Sequence, residues 1–152
     1  MSKKLVVFAS DHAAVGLKKE LEKYVQTKGY EVLDLGPADE SQSCSYALQG
    51  HKLANYMNEN EDKVAFGIGL CGTGLGISYA LNRHTNIRAA RVTSVADAHM
   101  AKQHNDANVL VFGGRITAPA DAKAMVDEYL NTEFEGGRHQ QRIKDIDNFE
   151  KY

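Results

Sequence analysis

The sequence predicts an α/β fold: a parallel, doubly wound sheet of five strands held in three layers, with helices on both faces. Three observations carry that prediction. Short apolar runs alternate with segments of helical periodicity along the chain. Several runs are continuous rather than alternating, as expected of strands covered on both faces. A glycine-rich loop then follows the third run, at the edge where open α/β sheets bind their ligands.

Taken in order, the strands read as "KLVVFA" (4–9), "YEVLDL" (30–35), "KVAFGIGL" (63–70), "IRAARV" (87–92) and "NVLVFG" (108–113). Between the first two, Ala14, Leu17, Leu21, Tyr24 and Val25 form a stripe at helical spacing, and Gly29 stops it. Segments 46–60, 76–84 and 94–104 read as the next helices. Met125, Val126, Tyr129 and Leu130 repeat the helical stripe after the fifth strand. From Glu133 onward the chain has finished its βα series, so residues 133–152 read as an appended tail on a single domain, 1–152. There is no internal repeat, low-complexity stretch or linker.

Composition narrows the partners. At 152 residues the chain can bury a real core, and 43% hydrophobic with 25% charged residues is globular rather than disordered. A net charge of −2 supplies no basic field for nucleic acid. No apolar run approaches the ~20 residues of a membrane span. Lys3 and Lys4 precede an apolar run too short for a signal peptide, with Asp11 and His12 close behind. Two cysteines, Cys44 and Cys71, make neither a disulfide framework nor a zinc spacing, so a reduced, cytoplasmic setting is expected.

The chemistry concentrates in "FGIGLCGTGLGIS" (66–78), where Gly69, Gly72, Gly74 and Gly76 surround Cys71. Gly67, Gly69 and Gly72 match Gly-x-Gly-x-x-Gly, but the first two lie inside the strand, whereas a dinucleotide fingerprint must follow it. No lysine follows for a Walker loop, and the phosphatase spacing that would demand arginine at 77 finds Ile77. What remains is a nest of backbone amides leading into a helix start near Gly76, a generic anion cradle. Cys71 at that mouth could serve as nucleophile or proton acceptor. It could equally be a small buried hydrophobe at a strand end. Cys44, in the polar loop "ESQSCSY", carries no chemical signal.

The strand-to-helix loops also contain Asp11 and His12, the pair Thr93-Ser94, and Arg115 after Gly113-Gly114, so these converge on one edge. His104 opens "HNDAN", which is compatible with a polar turn. His51, His84 and His99 fall in helical segments and are assigned no chemistry. Arg138 and Arg142 stand four apart and share a face if helical, either as solvated surface or as a phosphate grip.

"SDHAAVGLKKEL", "GLCGTGLGIS", "HNDANVLVFGGR" and "LNTEFEGGRHQQR" together resemble the type B ribose-5-phosphate isomerases, a family that includes galactose-6-phosphate and allose-6-phosphate isomerases. The resemblance runs in order from Phe8 to about Ile146. It implies a Rossmann-like aldose–ketose isomerase without metal or cofactor, acting on a phosphosugar as a homodimer or dimer of dimers with shared sites. Cys71 falls where the family has its base, and His104 where it has its ring-opening acid, assisted by Asp11 and Thr73. The amides of Gly72, Thr73, Gly74, Leu75 and Gly76, with Asn105, would hold the enediolate oxygens. His12, Arg115, Arg138 and Arg142 would bind phosphate, the last two from the neighbouring subunit, while Tyr46 would line the sugar.

Such chemistry needs a base of matched strength, donors where charge develops, and an anchor remote from the reacting carbons. One departure stands out. The family often reads Asp-Tyr-Pro where this chain has Ser45-Tyr46-Ala47, which suggests an altered substrate wall. Ribose 5-phosphate is the expected substrate. The alternatives are a hexose 6-phosphate, a silent sugar-phosphate-binding module, or a phosphocysteine carrier.

Overall fold

The computed structural model describes residues 2–152. Strand β1 (Leu5–Ser10) leads through a 3-10 turn (His12–Ala14) into α1 (Val15–Thr27), followed by β2 (Glu31–Asp34) and α2 (Tyr46–Glu59). Then come β3 (Val64–Cys71), α3 (Leu75–Leu81), β4 (Ala89–Arg91) and α4 (Val95–Gln103). The chain ends with β5 (Val109–Gly113), α5 (Pro119–Asn131), α6 (Arg138–Asp147) and a last 3-10 turn (Phe149–Lys151).

All five strands pair in parallel, in the order β2-β1-β3-β5-β4. The expected three layers are present because alternate residues of each strand face opposite helical covers. Val6, Phe8, Phe66, Ile68, Leu110 and Phe112 pack under α1, α4 and α5 through Leu17, Leu21, Ala98, Met125 and Val126. Val7, Ala9, Val109 and Val111 face the other way, against Leu53, Ala54, Ile77 and Leu81 of α2 and α3.

The fourth strand is shorter than its sequence run. Among the described residues it pairs only with β5, over Ala89–Arg91. Before it, the Arg88 N–H donates to Asn108 Oδ1 at 2.8 Å instead of to a neighbouring strand, although Ile87 is buried in the core. The tail is also more ordered than an appendage. The Glu135 N–H donates to the Gln103 carbonyl at 2.9 Å and the Asn86 N–H to Asp147 Oδ2 at 3.1 Å, so α6 is tied to its own chain near the end of α4. No described helix is long and apolar enough to cross a membrane.

One polar cluster is enclosed in the fold. Lys18 of α1 is fully buried, and its ammonium donates to the Pro37 carbonyl at 2.7 Å and pairs with Asp34 Oδ1 at 2.9 Å. This links α1 to the end of β2 and to the loop leading towards α2. Removing one partner of such a buried pair typically costs about 3–5 kcal/mol, because the other charge is stranded.

Glu22, one turn further along α1, is pushed from the usual 4.5 up to about 7, first by burial and then by the carboxylate of Asp34. The folded state therefore holds this proton more tightly than the unfolded chain. Stability from this group is complete below pH 4.5 and is lost as pH rises towards about 7. Glu22→Gln should flatten that decline, so that the variant gains on the wild type between pH 5 and 8 in urea unfolding; parallel curves would contradict the assignment.

Candidate active site

The sheet order changes direction beside β1: β2 lies on one side of it and β3 on the other. Loops leaving such a pair diverge to opposite faces and leave a crevice at the carboxyl edge. A cavity of about 590 Å³ opens there, lined by Asp11, His12, Cys71, Gly72, Thr73, Leu75, Gly76 and Arg115, with Cys44, Ser45, Tyr46 and Tyr79.

Cys71 is the last residue of β3 and is buried. The Gly74 N–H donates to its sulfur at 3.2 Å, which orients Sγ towards the loop amides. Gly74 makes this contact with φ at +82°, a conformation that favours glycine. The Thr73 hydroxyl accepts the Leu75 N–H at 3.2 Å, and the Thr73 carbonyl accepts Arg91 Nε at 2.9 Å. Arg91 therefore holds the loop from beneath, a role that depends on a contact distant in sequence.

Backbone bonds continue past the strands on both sides of Cys71. The Asp11 N–H donates to the Leu70 carbonyl at 3.1 Å, the Gly114 N–H to the Cys71 carbonyl at 2.8 Å and the Arg115 N–H to the Gly72 carbonyl at 2.9 Å. Asp11 is buried and spends Oδ1 on the Ala13 N–H at 3.0 Å, capping the 3-10 turn that carries His12. The Cys44 N–H donates to His12 Nδ1 at 3.3 Å. In neutral His12 the proton then sits on Nε2.

Tyr46 opens α2, whose N-cap is Ser45: its hydroxyl accepts the Ala47 and Leu48 N–H groups at 3.2 and 3.3 Å. The Tyr46 ring lies against Gly76, where a Cβ would overlap it. This explains the last glycine of the loop.

Five expected site residues do not line this cavity; one of them, Gly74, sits within the loop with its N–H on the Cys71 sulfur. The other four, His104, Asn105, Arg138 and Arg142, lie outside the cavity. The reason is topological: α4 leaves the carboxyl end of β4 and runs back, so His104 at its C-cap approaches the amino end of β5. There His104 stacks on His139, with ring centroids 4.6 Å apart. Burial first, then the charges of Arg138 and His104, hold His139 below the usual imidazole range. Arg138 and Arg142 share the exposed face of α6, as their spacing implies. Ser45 lines the cavity beside Tyr46, in keeping with the substrate wall expected there, and Cys44 and Tyr79 join it without a chemical signal in the sequence. Only the position of Cys44 two residues before Tyr46 could have pointed to it.

The sequence profile of the ribose/galactose isomerase family matches residues 6–146. The chain belongs to that family. It is 39% identical over 143 residues to ribose-5-phosphate isomerase B of Escherichia coli, covering 94% of each chain. Against the probable ribose-5-phosphate isomerase B of Mycoplasma genitalium it is 38% identical over 146 residues, covering 96% of this chain and 95% of the relative. The crystal structure of a ribose 5-phosphate isomerase from Thermotoga maritima superposes with a TM-score of 0.90 at 43% identity, covering 95% of this chain and 98% of that one. The Mycoplasma genitalium enzyme with bound ribulose-5-phosphate gives 0.91 at 37% identity, covering 99% of both chains. The α/β architecture is thus that of the ribose/galactose isomerases along almost the whole chain.

The cavity chemistry yields a direct test. In neutral His12 the imidazole proton is expected on Nε2, with Nδ1 accepting the Cys44 amide. Long-range ¹H–¹⁵N spectra of selectively labelled protein would identify the bare nitrogen; finding the proton on Nδ1 would remove His12 as an Nε2 donor to a ligand.

Proposed function

We propose that the chain interconverts ribose 5-phosphate and ribulose 5-phosphate, with Cys71 as the base and with each active site shared between two subunits. The observation carrying this reading is the buried Cys71 sulfur, oriented by the Gly74 amide, at the base of a cleft whose walls present His12 and Arg115. A family relative is described with ribulose-5-phosphate bound.

The phosphate is anchored by His12 Nε2 and the Arg115 guanidinium, whose fork suits phosphate oxygens. Arg138 and Arg142 of the partner subunit complete the clamp. Anchoring a group that does not react directs binding energy to placing C1 and C2 beside the sulfur. Opening the sugar ring transfers a proton from the partner's His104 to the ring oxygen, while the anomeric hydroxyl gives its proton to Asp11. Cys71 thiolate then removes the C2 proton, and the electron pair moves onto O1 to give an enediolate.

Amides of the Gly72–Gly76 loop and the partner's Asn105 stabilise that charge where it develops. Returning the proton to C1, as the O2 hydroxyl proton passes to O1, gives the ketose. Solvent carries the proton gained by Asp11 back to the partner's His104, so that both groups are reset and the cycle balances.

The need for a second subunit follows from the division of groups within one chain. Among the described residues, Arg115 is the only lysine or arginine lining the cleft, whereas Arg138 has a side chain 61% exposed on α6. Leu75 and Tyr79, one turn apart on α3, are also exposed at the cleft. A twofold pairing that covers these side chains and brings up a partner's tail would create two equivalent sites.

Cys71→Ala should lower kcat at least ~10³-fold, in the upper range for loss of a general base. Binding of a phosphate ester should survive within a few fold, because base and anchor are separate groups. Near-normal turnover would reject Cys71 as the base. Mixing Cys71→Ala with Arg138→Ala protein should restore activity through hybrid dimers that carry one intact site. Random exchange makes half the dimers hybrid, with one of two sites restored, or about a quarter of wild-type activity. No recovery after verified exchange would mean that each site is built within one chain.

A further inference from the structure

Three side chains at the edge of the sheet opposite the cavity form a cluster with a ligand set of its own. His104 comes from the C-cap of α4, Glu135 from the segment before α6, and His139 from the first turn of α6. One ligand atom from each lies within 4.8 Å of the others. His104 Nε2 and His139 Nε2 each stand 3.8 Å from the same carboxylate oxygen, Glu135 Oε2. Those separations are too long for hydrogen bonds.

The His139 side chain is only 9% exposed, and its Nε2, buried and facing this oxygen, has no hydrogen-bond partner. A buried polar atom in that condition costs about 1–3 kcal/mol unless something satisfies it. The segment is held in place independently of these side chains, by the Glu135 N–H to the Gln103 carbonyl at 2.9 Å. Arg138 Nη1 approaches the other carboxylate oxygen, Oε1, at 3.7 Å and leaves Oε2 directed at the imidazoles.

We propose that His104, Glu135 and His139 form a binding site for a divalent transition-metal ion, zinc above all. Two imidazoles and one carboxylate are a ligand set that zinc accepts with a fourth position open. Around a tetrahedral ion with bonds of ~2.1 Å, ligand atoms stand about 3.4 Å apart. The two 3.8 Å separations need only a small contraction, and the stacked rings must tilt so that both Nε2 atoms converge. Arg138 and Arg142 oppose the added charge, so the site exchanges its ion rather than holding it permanently. Calcium and magnesium, which prefer oxygen ligands, are poor fits.

An ion held there engages His104 Nε2, so occupancy and proton transfer through that nitrogen exclude each other. This consequence rests on the isomerase reading; binding of the ion does not.

The test titrates the full-length protein with Co²⁺ in phosphate-free buffer, without sugar phosphate, and follows the visible d–d bands. One Co²⁺ per chain is expected, displaced by Zn²⁺, and without the near-ultraviolet thiolate band that Cys44 or Cys71 would produce. His139→Ala and Glu135→Gln should each weaken binding at least tenfold, a loss that even outer-shell partners can cause. The exposed Glu135→Gln keeps the test open should His139→Ala fail to fold. No saturable binding by the wild type, a thiolate band, or unchanged affinity in a folded variant would each overturn the proposal, whatever the protein's activity on ribose 5-phosphate.

Discussion

The structure depends on the way β3 is clamped at its carboxyl end. Leu70 and Cys71 are the last residues of the central strand, and their carbonyls accept amides from the chain leaving β1 and from the chain leaving β5. The seam is tight: a Cβ at Gly113 would come within 2.7 Å of the Thr73 backbone. A sulfur fixed to the middle of a parallel sheet cannot drift relative to the groups on its neighbours. Asp11, His12, Cys71 and Arg115 are therefore positioned by one hydrogen-bonded frame, although they span more than 100 residues of sequence. Placing reactive groups on rigid elements is what preorganisation requires.

That same frame explains the division of the molecule. In a parallel sheet every strand points the same way, so each helix must return to the opposite edge before the next strand begins. Residues at strand ends gather at one edge and residues at helix ends at the other. His104 and Asn105 follow α4 and belong to the second group, together with α6. A chain of this topology cannot bring both groups into one small cavity without unwinding. Under the proposed isomerase reading, a second copy would have to supply the groups that the first holds at the far edge.

Much of this was legible from residues. Continuous apolar runs marked β1, β3 and β5 because burial on both faces leaves no polar alternation to obscure them. The glycine cluster located the cavity floor, and the ends of the first, third and fifth strands located its walls. Edge strand β4 was overextended because Ile87 is buried without joining the ladder, and apolarity cannot distinguish those outcomes. His104, given its role by the motif it opens, lies in its own chain at the edge opposite Cys71, where the fourth helix leads from its strand. Contacts such as Arg91 to the Thr73 carbonyl were illegible, since nothing local to either residue announces a partner 18 positions away.

The altered wall around Tyr46 can now be given a physical meaning. Serine and aspartate are comparable helix caps, and Ser45 performs that task for α2 with two amide bonds. The start of the helix is therefore preserved, and so is the seat of the Tyr46 ring against Gly76. What differs from an Asp-Tyr-Pro wall is the electrostatics, because a neutral hydroxyl lines the cleft where a carboxylate would. Under the proposed isomerase reading, one fewer negative charge in a cleft that also contains Asp11 would lower the repulsion felt by a phosphate dianion and by an enediolate.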